Sequence, residues 1–379
     1  DWILAAGASH VAKFDHDHFS DLQAFHDLHK THIFGFLGYD LKNELEVLES
    51  ANPDKLGFPE AYFFIPTYLL ASLNGELTVL KSPNGDEVLI QIREQEISFS
   101  ASRAIDVTPR IPKEQYLEKV AMLKDHIKRG DIYEATFCQE FFADDAQLDP
   151  LETYLNLTAD FPTPFASFFK LDDRFIISAS PERFLSKRDN QIISQPIKGT
   201  SPRSDDPVKD RLNMDTLRND PKEQAENVMI VDLVRHDLSR IAMKGTVKVS
   251  ELFGIYSFPS VHQMISTVIC TLAEGMTVTD AIRNCFPMGS MTGAPKIRAM
   301  QLIDQYEETK RGVYSGTIGW IGPSGDFGLN VVIRTLLYNS ATKYLSFQVG
   351  GAITHGSDPQ KEYEECLLKA QALLKALKK

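Results

Sequence analysis

Cysteine is scarce in this sequence: Cys138, Cys270, Cys285 and Cys366 are the only four in 379 residues, and none lies within ten positions of another. That spacing excludes a CxxC metal or redox motif and argues against a disulfide framework, so a reducing, cytoplasmic setting is expected. Positive charge is also short. Lys and Arg number 40 against 52 Asp and Glu, a formal net charge of −12. A phosphate-binding surface needs the opposite balance, which argues against nucleic acid as a partner. An acidic chain that takes a small anion must gather its cations locally, from a few Lys or Arg or from a metal ion. Long apolar runs are missing as well. The longest, Ala61 to Leu73, is broken by Pro66 and falls short of the ~20 residues that a membrane-spanning helix requires. The opening Asp1-Trp2-Ile3-Leu4 lacks the basic flank and apolar run of a secretory signal, and it lacks a Met, as a trimmed N-terminus would.

What is there is the balance of a soluble globular protein with a sizeable core: 43% hydrophobic and 24% charged residues. The first hundred residues read as hairpins of an antiparallel sheet. An example is Leu77-Thr78-Val79-Leu80, then the turn Ser82-Pro83-Asn84-Gly85, then a strand over Val88 to Ile92. A helix is predicted from Pro112 to Arg129, ended by Gly130, and strands over 132–142, 165–170, 174–179 and 182–187. Asp220 to Met243 predicts a second helix, with Asp220 as N-cap, Pro221 at the first position, Glu223 completing a capping box and Gly245 just past the end. Further helices are predicted from Pro295 to about Glu308 and from Asp358-Pro359 to the C-terminus. Strands are predicted over Val313–Ile321, Phe327–Tyr338 and Tyr344–Val349. The fold class is therefore α+β with much antiparallel sheet. No Pro/Gly/Ser linker divides it. One unit over 1–379 is expected, its strand-rich residues 1–110 packed into the same fold as a core over 111–379.

Several constellations carry chemistry. Glu223/Glu226 and Glu362/Glu365 are two Glu-x-x-Glu pairs, each placing two carboxylates on one helix face. They are either solvated surface charge or, facing each other, a site for a hard divalent ion such as Mg²⁺. In Gln195-Pro196-Ile197-Lys198-Gly199-Thr200 a lysine is presented just before a glycine turn. It is either a snorkelling surface lysine or, if desolvated, a nucleophile. Phe286 to Lys296 places small residues ahead of a helix start, where backbone N–H groups favour an anion; the alternative is an ordinary turn. Its glycines, Gly289 and Gly293, do not have Walker A spacing. Gly350-Gly351-Ala352 follows a strand and either forms a bulge or lets backbone approach a ligand. Arg334 is a lone cation in an apolar run, which needs an anion, from the protein or from a substrate. Tyr314 is either hairpin filler or a ligand contact.

Taken together and in this order, these segments resemble the chorismate-utilising enzymes, the family of the anthranilate, aminodeoxychorismate, isochorismate and salicylate synthases. The resemblance covers about Pro112 to Lys379. Four stretches carry it: Ala225 to Leu233, Gly289 to Lys296, Arg311-Gly312-Val313-Tyr314-Ser315-Gly316, and Gly350 to Ile353. It implies a β-sandwich core of largely antiparallel sheets flanked by helices, with the active site in a cleft within it. It implies that Glu226 and Glu365 ligate Mg²⁺, supported by Glu223 and Glu362, and that the metal binds the ring carboxylate of chorismate. Arg334 and Tyr314 would hold the enolpyruvyl carboxylate with backbone of Gly350, Gly351 and Ala352. Lys296 would add positive charge, and Thr200 and Gln263 would line the substrate site. Aminodeoxychorismate synthases read Pro-Ile-Lys-Gly-Thr, as this chain does, whereas anthranilate synthases typically carry Ala where Lys198 stands. The implied reaction is attack of neutral Lys198 on C2 of chorismate. Glu182, in Ser180-Pro181-Glu182-Arg183, protonates the departing C4 hydroxyl, and ammonia then expels the lysine from C4. Both pKa values should be tuned, Glu182 upward and Lys198 downward. No Cys sits in a glutaminase-nucleophile setting, so ammonia is expected from a glutamine amidotransferase partner. There is no room for a fused lyase, so the product is expected to be 4-amino-4-deoxychorismate, a precursor of 4-aminobenzoate and folate.

The sequence also departs from the family pattern. Gln263 stands where a His is common, with His262 beside it, and either one could make that hydrogen bond. His236 replaces a usual Asn. Glu134 replaces a common Gln, at the position where isochorismate and salicylate synthases place a base lysine, which argues against those two activities. The N-terminal hundred residues are shorter than in many relatives, which argues against an allosteric tryptophan site. An anthranilate synthase and a non-catalytic chorismate binder are the competing readings.

Overall fold

Two antiparallel sheets carry much of the chain in a computed structural model that describes residues 1–15, 17–100 and 102–378. Among these residues the larger sheet has eleven strands. Its path runs β1 (Trp2–Val11), β3 (Ala61–Leu73), β2 (Ile33–Leu37), β15 (Thr317–Ile321), β16 (Phe327–Asn330), β9 (Arg183–Arg188), β10 (Gln191–Gln195), β13 (Val261–Thr271) and β11 (Ile197–Pro202). Beside that path, β4 (Glu76–Lys81) pairs with β3 and β12 (Lys248–Ser257) with β13. The smaller sheet has seven strands: β14 (Gly293–Ala294), β6 (Glu134–Ala143), β18 (Tyr344–Ile353), β17 (Thr335–Asn339), β8 (Arg174–Ser180) and β7 (Phe165–Leu171), with β5 (Thr108–Pro109) on β6. The helices are α1 (His18–His29), α2 (Lys42–Leu45), α3 (Glu87–Glu94), α4 (Lys113–Arg129), α5 (Pro150–Asp160), α6 (Pro207–Arg218), α7 (Pro221–Ser239), α8 (Val278–Cys285), α9 (Lys296–Tyr306) and α10 (Pro359–Ala376).

The sheets are layers of one α+β sandwich because their strands are apolar on the faces that meet. Phe36, Phe63, Leu185 and Leu329 of the large sheet share a core with Cys138, Ile176 and Leu337 of the small one. The outer face of the small sheet packs under α4, α5 and α10, through Phe137, Phe141, Phe347 and Val349 against Tyr116, Leu157 and Leu373. Strand β6 is buried from Glu134 through Phe141. Side chains alternate along a strand, so Ala135, Phe137 and Phe141 face the helices while Cys138 faces the large sheet. Glu134 and Thr136 share the face of Cys138, and a carboxylate is thereby placed between the layers. No helix among the described residues is long and apolar enough to cross a membrane.

The local signals hold where the chemistry lies within one turn. Asp220 accepts from the N–H groups of Lys222 and Glu223, with Pro221 at the first position. Asp358 caps α10, and Gly130 closes α4 in the left-handed region (φ 84°). Several expectations need correction. No reciprocal capping-box bond from Glu223 is seen, and α7 stops at Ser239 rather than Met243 because Ala242 leaves to bridge Leu272. The N-terminal part is not all hairpin: α1 intervenes, with Phe19, Leu22 and His26 buried. Val88 to Ile92 is helical, not a strand. It buries only Val88, and so short an apolar run lets local preference decide. The strand expected over 313–321 begins only at Thr317, since 311–316 is a turn with Ser315 at φ 61°. The run 327–338 breaks at Arg334 (φ 53°) and passes from one sheet to the other. Gly350 and Gly351 lie inside β18, which extends to Ile353, paired with Cys138 and Phe137.

Candidate active site

The reactive end of the site lies where the two sheets face each other. Strand β11 departs from regular pairing with β13 between Ile197 and Thr200, so Lys198 and Gly199 form a bulge. Gly199 has φ +90°, and a Cβ there would come 3.0 Å from Glu223 Oε2 and Leu217, so the position requires glycine. The bulge aims Lys198 across the gap, where Nζ donates to Glu134 Oε1 at 2.8 Å. Glu134 is completely buried and the Lys198 side chain is 11% exposed. The second oxygen, Glu134 Oε2, is buried without a hydrogen-bond partner. Burial works to remove the charge on Lys198, but the Glu134 carboxylate outweighs it, aided by Glu226 and Glu182, and holds the ammonium above the ordinary lysine range. The expected downward shift of Lys198 is therefore corrected: its counter-ion reverses the sign.

Glu182 sits in the turn between β8 and β9, where its backbone carbonyl accepts from Val331 N–H at 3.0 Å. It is 5% exposed. Burial pushes its carboxyl up to about 7, against the pull of the Ser290 hydroxyl, Lys198 and the Ile197 N–H. That is the expected direction for an acid that must hold its proton. A cavity of about 20 Å³, lined by Glu182, Ser290, Asp237 and Cys285 among others, adjoins it. That volume is room for one water-sized molecule and not for a substrate ring.

The two Glu-x-x-Glu pairs converge. Lys222, in the first turn of α7, places Nζ 3.6 Å from Glu226 Oε1 and 3.9 Å from Glu362 Oε1. Gly351 lies over the α10 pair: a Cβ there would be 3.2 Å from Glu362 Oε2 and 3.7 Å from Glu365 Oε1. Burial raises the carboxyls of Glu223 and Glu362 and takes Glu226 up to about 7. Burial also opposes charge on Glu365, but the Lys369 ammonium at 2.7 Å keeps it below the usual carboxylate range. Glu226 Oε1 is buried with no hydrogen bond. A buried carboxylate oxygen without a hydrogen bond on Glu226, and an ammonium near both it and buried Glu362, fit a small hard cation. Their oxygens are not drawn into a tight ligand cluster. Among the described residues, the three side chains whose ligand atoms fall within 4.8 Å of one another are His18, Glu44 and Glu60, in the N-terminal part, where His18 is hydrogen-bonded to Glu44.

At the other end, Arg334 is partly buried, donates from Nη1 to Lys369 O at 2.9 Å and has no ion-pair partner among the described residues. Burial lowers its pKa, the mark of a guanidinium that needs an anion. Tyr314 is buried, its hydroxyl 3.4 Å from Cys138 Sγ. Gly350 O accepts from Lys369 Nζ at 2.9 Å, and Ala352 lies one step further along the same strand face as Gly350. Lys296 begins α9 and is not free charge: it pairs with buried Asp237 at 2.6 Å. Thr200 and Gln263 are register partners, Thr200 exposed and Gln263 buried with Oε1 unpartnered. His262 is committed elsewhere, to Asp210 and Ser257, each at 2.9 Å. Gln263 therefore keeps the spare acceptor.

Sequence reasoning missed the partners. Lys222 was legible as an i,i+4 neighbour of Glu226. Arg311 lay inside a recognised segment, but its role did not. It is 2% exposed and grips Glu307 twice, at 2.6 and 2.9 Å. It also donates to Met291 O at 2.6 Å and Thr136 O at 2.8 Å, and stacks 4.6 Å from the Tyr39 ring. One guanidinium thus fastens β6, the loop before α9 and the turn that carries Tyr314.

Comparison with known proteins finds relatives over most of the chain. A family model described as chorismate binding enzyme matches residues 4–375. Anthranilate synthase component 1 of Cereibacter sphaeroides is 34% identical over 367 residues, covering 91% of this chain and 73% of that protein. Aminodeoxychorismate synthase component 1 of Escherichia coli K12 is 35% identical over 349 residues, covering 91% and 76%. The crystal structure of anthranilate synthase component I from Streptococcus pneumoniae TIGR4 superposes with a TM-score of 0.87 at 28% identity, covering 98% of this chain and 92% of that one.

Proposed function

The chain belongs to the chorismate-binding enzyme family, and from that premise we propose that it aminates chorismate at C4 to 4-amino-4-deoxychorismate through a covalent bond to Lys198. The observation that carries the reading is the amine of Lys198, buried between the sheets with Glu134, Glu182 and Glu226 around it. Covalent attack splits one difficult displacement into two easier ones. Glu182 is poised as a proton donor because burial keeps it protonated near neutrality. Arg334, partly buried and with no ion-pair partner among the described residues, holds the enolpyruvyl carboxylate with Tyr314. Glu226 and Glu365 would hold Mg²⁺, supported by Glu223 and Glu362, the ion taking over the charge that Lys222 now supplies beside Glu226 and Glu362. Bound there, Mg²⁺ would supply positive charge for the ring carboxylate. Ammonia comes from a glutamine amidotransferase partner; the component 1 names of the relatives support a second component.

The decisive experiment gives the protein chorismate, Mg²⁺ and ammonia, then identifies the product and maps any adduct by mass spectrometry. Aminodeoxychorismate and a modified Lys198 are expected. Fluorescent anthranilate as the product would install the second reading, which the equally similar anthranilate synthase relatives favour.

Two further outcomes are expected. Glu182 works as an acid, so at saturating Mg²⁺ and fixed free ammonia kcat/KM should fall about tenfold per pH unit above about pH 7, as the carboxyl that burial raises to about 7 loses its proton. A profile still rising at pH 8 would assign the acid elsewhere. Glu226→Gln should weaken Mg²⁺-dependent chorismate binding by roughly 10–100-fold while the unfolding midpoint hardly moves. Calorimetry that finds equal affinity in the parent with and without Mg²⁺ would remove the metal from this site.

A further inference from the structure

An attacking lysine must be a free amine, yet here Lys198 is held as an ammonium. We infer that Glu134 is the group that accepts the Lys198 proton at the start of the reaction and returns it at the end. The inference rests on the reading of Lys198 as nucleophile given above.

Three observations carry it. Glu134 is in direct contact with the reacting nitrogen, 2.8 Å from Nζ. It is fully buried, and its Oε2 has no hydrogen-bond partner. A buried carboxylate short of hydrogen bonds is a poorly solvated anion, and desolvation offsets much of the Coulombic gain of a buried ion pair. Water leaving the cleft as substrate enters shifts that balance further toward amine and acid. The other groups that face Lys198 are otherwise engaged: Glu182, from the β8–β9 turn, must keep its own proton for the leaving oxygen. Glu226, and more remotely Glu223 and Glu365, belong to the cation end.

The proton balance closes. A proton moves from Lys198 Nζ to Glu134 Oε1. The amine bonds to C2, the two ring double bonds shift from C1=C2 and C5=C6 to C1=C6 and C4=C5, and the C4–O bond breaks. The hydroxyl leaves as water with the proton of Glu182. Ammonia then bonds to C4, the double bonds shift back, and the C2–N bond breaks with its electron pair returning to lysine. The C4 ammonium gives one proton to Glu182, and Glu134 returns its proton to Lys198. Chorismate and ammonia have become the 4-amino product and water, and both acids are restored.

The test is single-turnover adduct formation from saturating chorismate and saturating Mg²⁺ without ammonia, followed by mass spectrometry between about pH 5.5 and 7, where Glu182 stays largely protonated. In the parent the proton moves within the pair, so the rate should not depend on pH. In Glu134→Gln the proton must leave to solvent, so the rate should fall toward tenfold per pH unit of acidification, and Glu134→Asp should restore the flat profile. Chorismate affinity and thermal midpoint are measured alongside, so that a collapsed variant is recognised. A Glu134→Gln variant that binds chorismate and shows the parent's flat profile and rate overturns the role of Glu134 alone. A parent that forms product with no adduct at Lys198 overturns the nucleophile, and this inference with it.

Discussion

Lys198→Ala is expected to lower ammonia-dependent amination of chorismate on the order of 10³-fold, because the step that divides the displacement in two is lost outright. Lys198→Arg should be equally inactive. Arginine keeps a cation against Glu134 but does not surrender its proton near neutrality. The pair of variants separates two roles that alanine alone confounds. If Lys198 only neutralised buried carboxylates, arginine would retain most of the rate. Steady-state kinetics with ammonia, with chorismate binding as control, makes the distinction. Arg at 198 within tenfold of the parent would leave the lysine as a counter-ion.

Arg311→Met should destabilise the protein by about 3–5 kcal/mol, the usual cost of stranding one member of a buried ion pair. The size follows from what the guanidinium satisfies: both oxygens of Glu307 and the carbonyls of Met291 and Thr136. Methionine fills much of the volume but leaves Glu307 a buried charge whose remaining donor is the Cys138 N–H, and it removes a donor from the carbonyls of Met291 and Thr136. Adding Glu307→Leu to the Met variant should recover part of the loss, since the isolated charge disappears. Denaturant unfolding of the single and double variants measures this. A single variant within about 0.5 kcal/mol of the parent, the range of an ordinary surface substitution, would show that the network carries little.

Recognition came from short segments, and so did the correct helix ends. Asp220-Pro221, Asp358-Pro359 and Gly130 act within three residues of themselves, so they can be read without knowing the fold. Arg334 could be singled out because a cation in an apolar run demands an explanation. Its left-handed backbone (φ 53°), which turns one apparent strand into two strands of different sheets, leaves no such trace. The Glu134–Lys198 contact spans 64 residues and joins the two sheets. Each residue could be noticed alone, but their pairing, and the upward pull on the lysine, depend on how the layers face each other. Val88–Ile92 failed for a different reason: with only Val88 buried, little tertiary packing holds that segment to either form.

The placement of β2 beside β15 carries a consequence for anyone who would shorten this chain. The first eighty-odd residues supply β1 to β4, and without them Thr317–Ile321 becomes the open border of the large sheet. That segment, Thr-Ile-Gly-Trp-Ile, has no charge and no proline, the composition that templates pairing with neighbouring molecules. A truncation meant to isolate the chemistry would therefore be expected to precipitate, through a raw border that the leading strands keep covered.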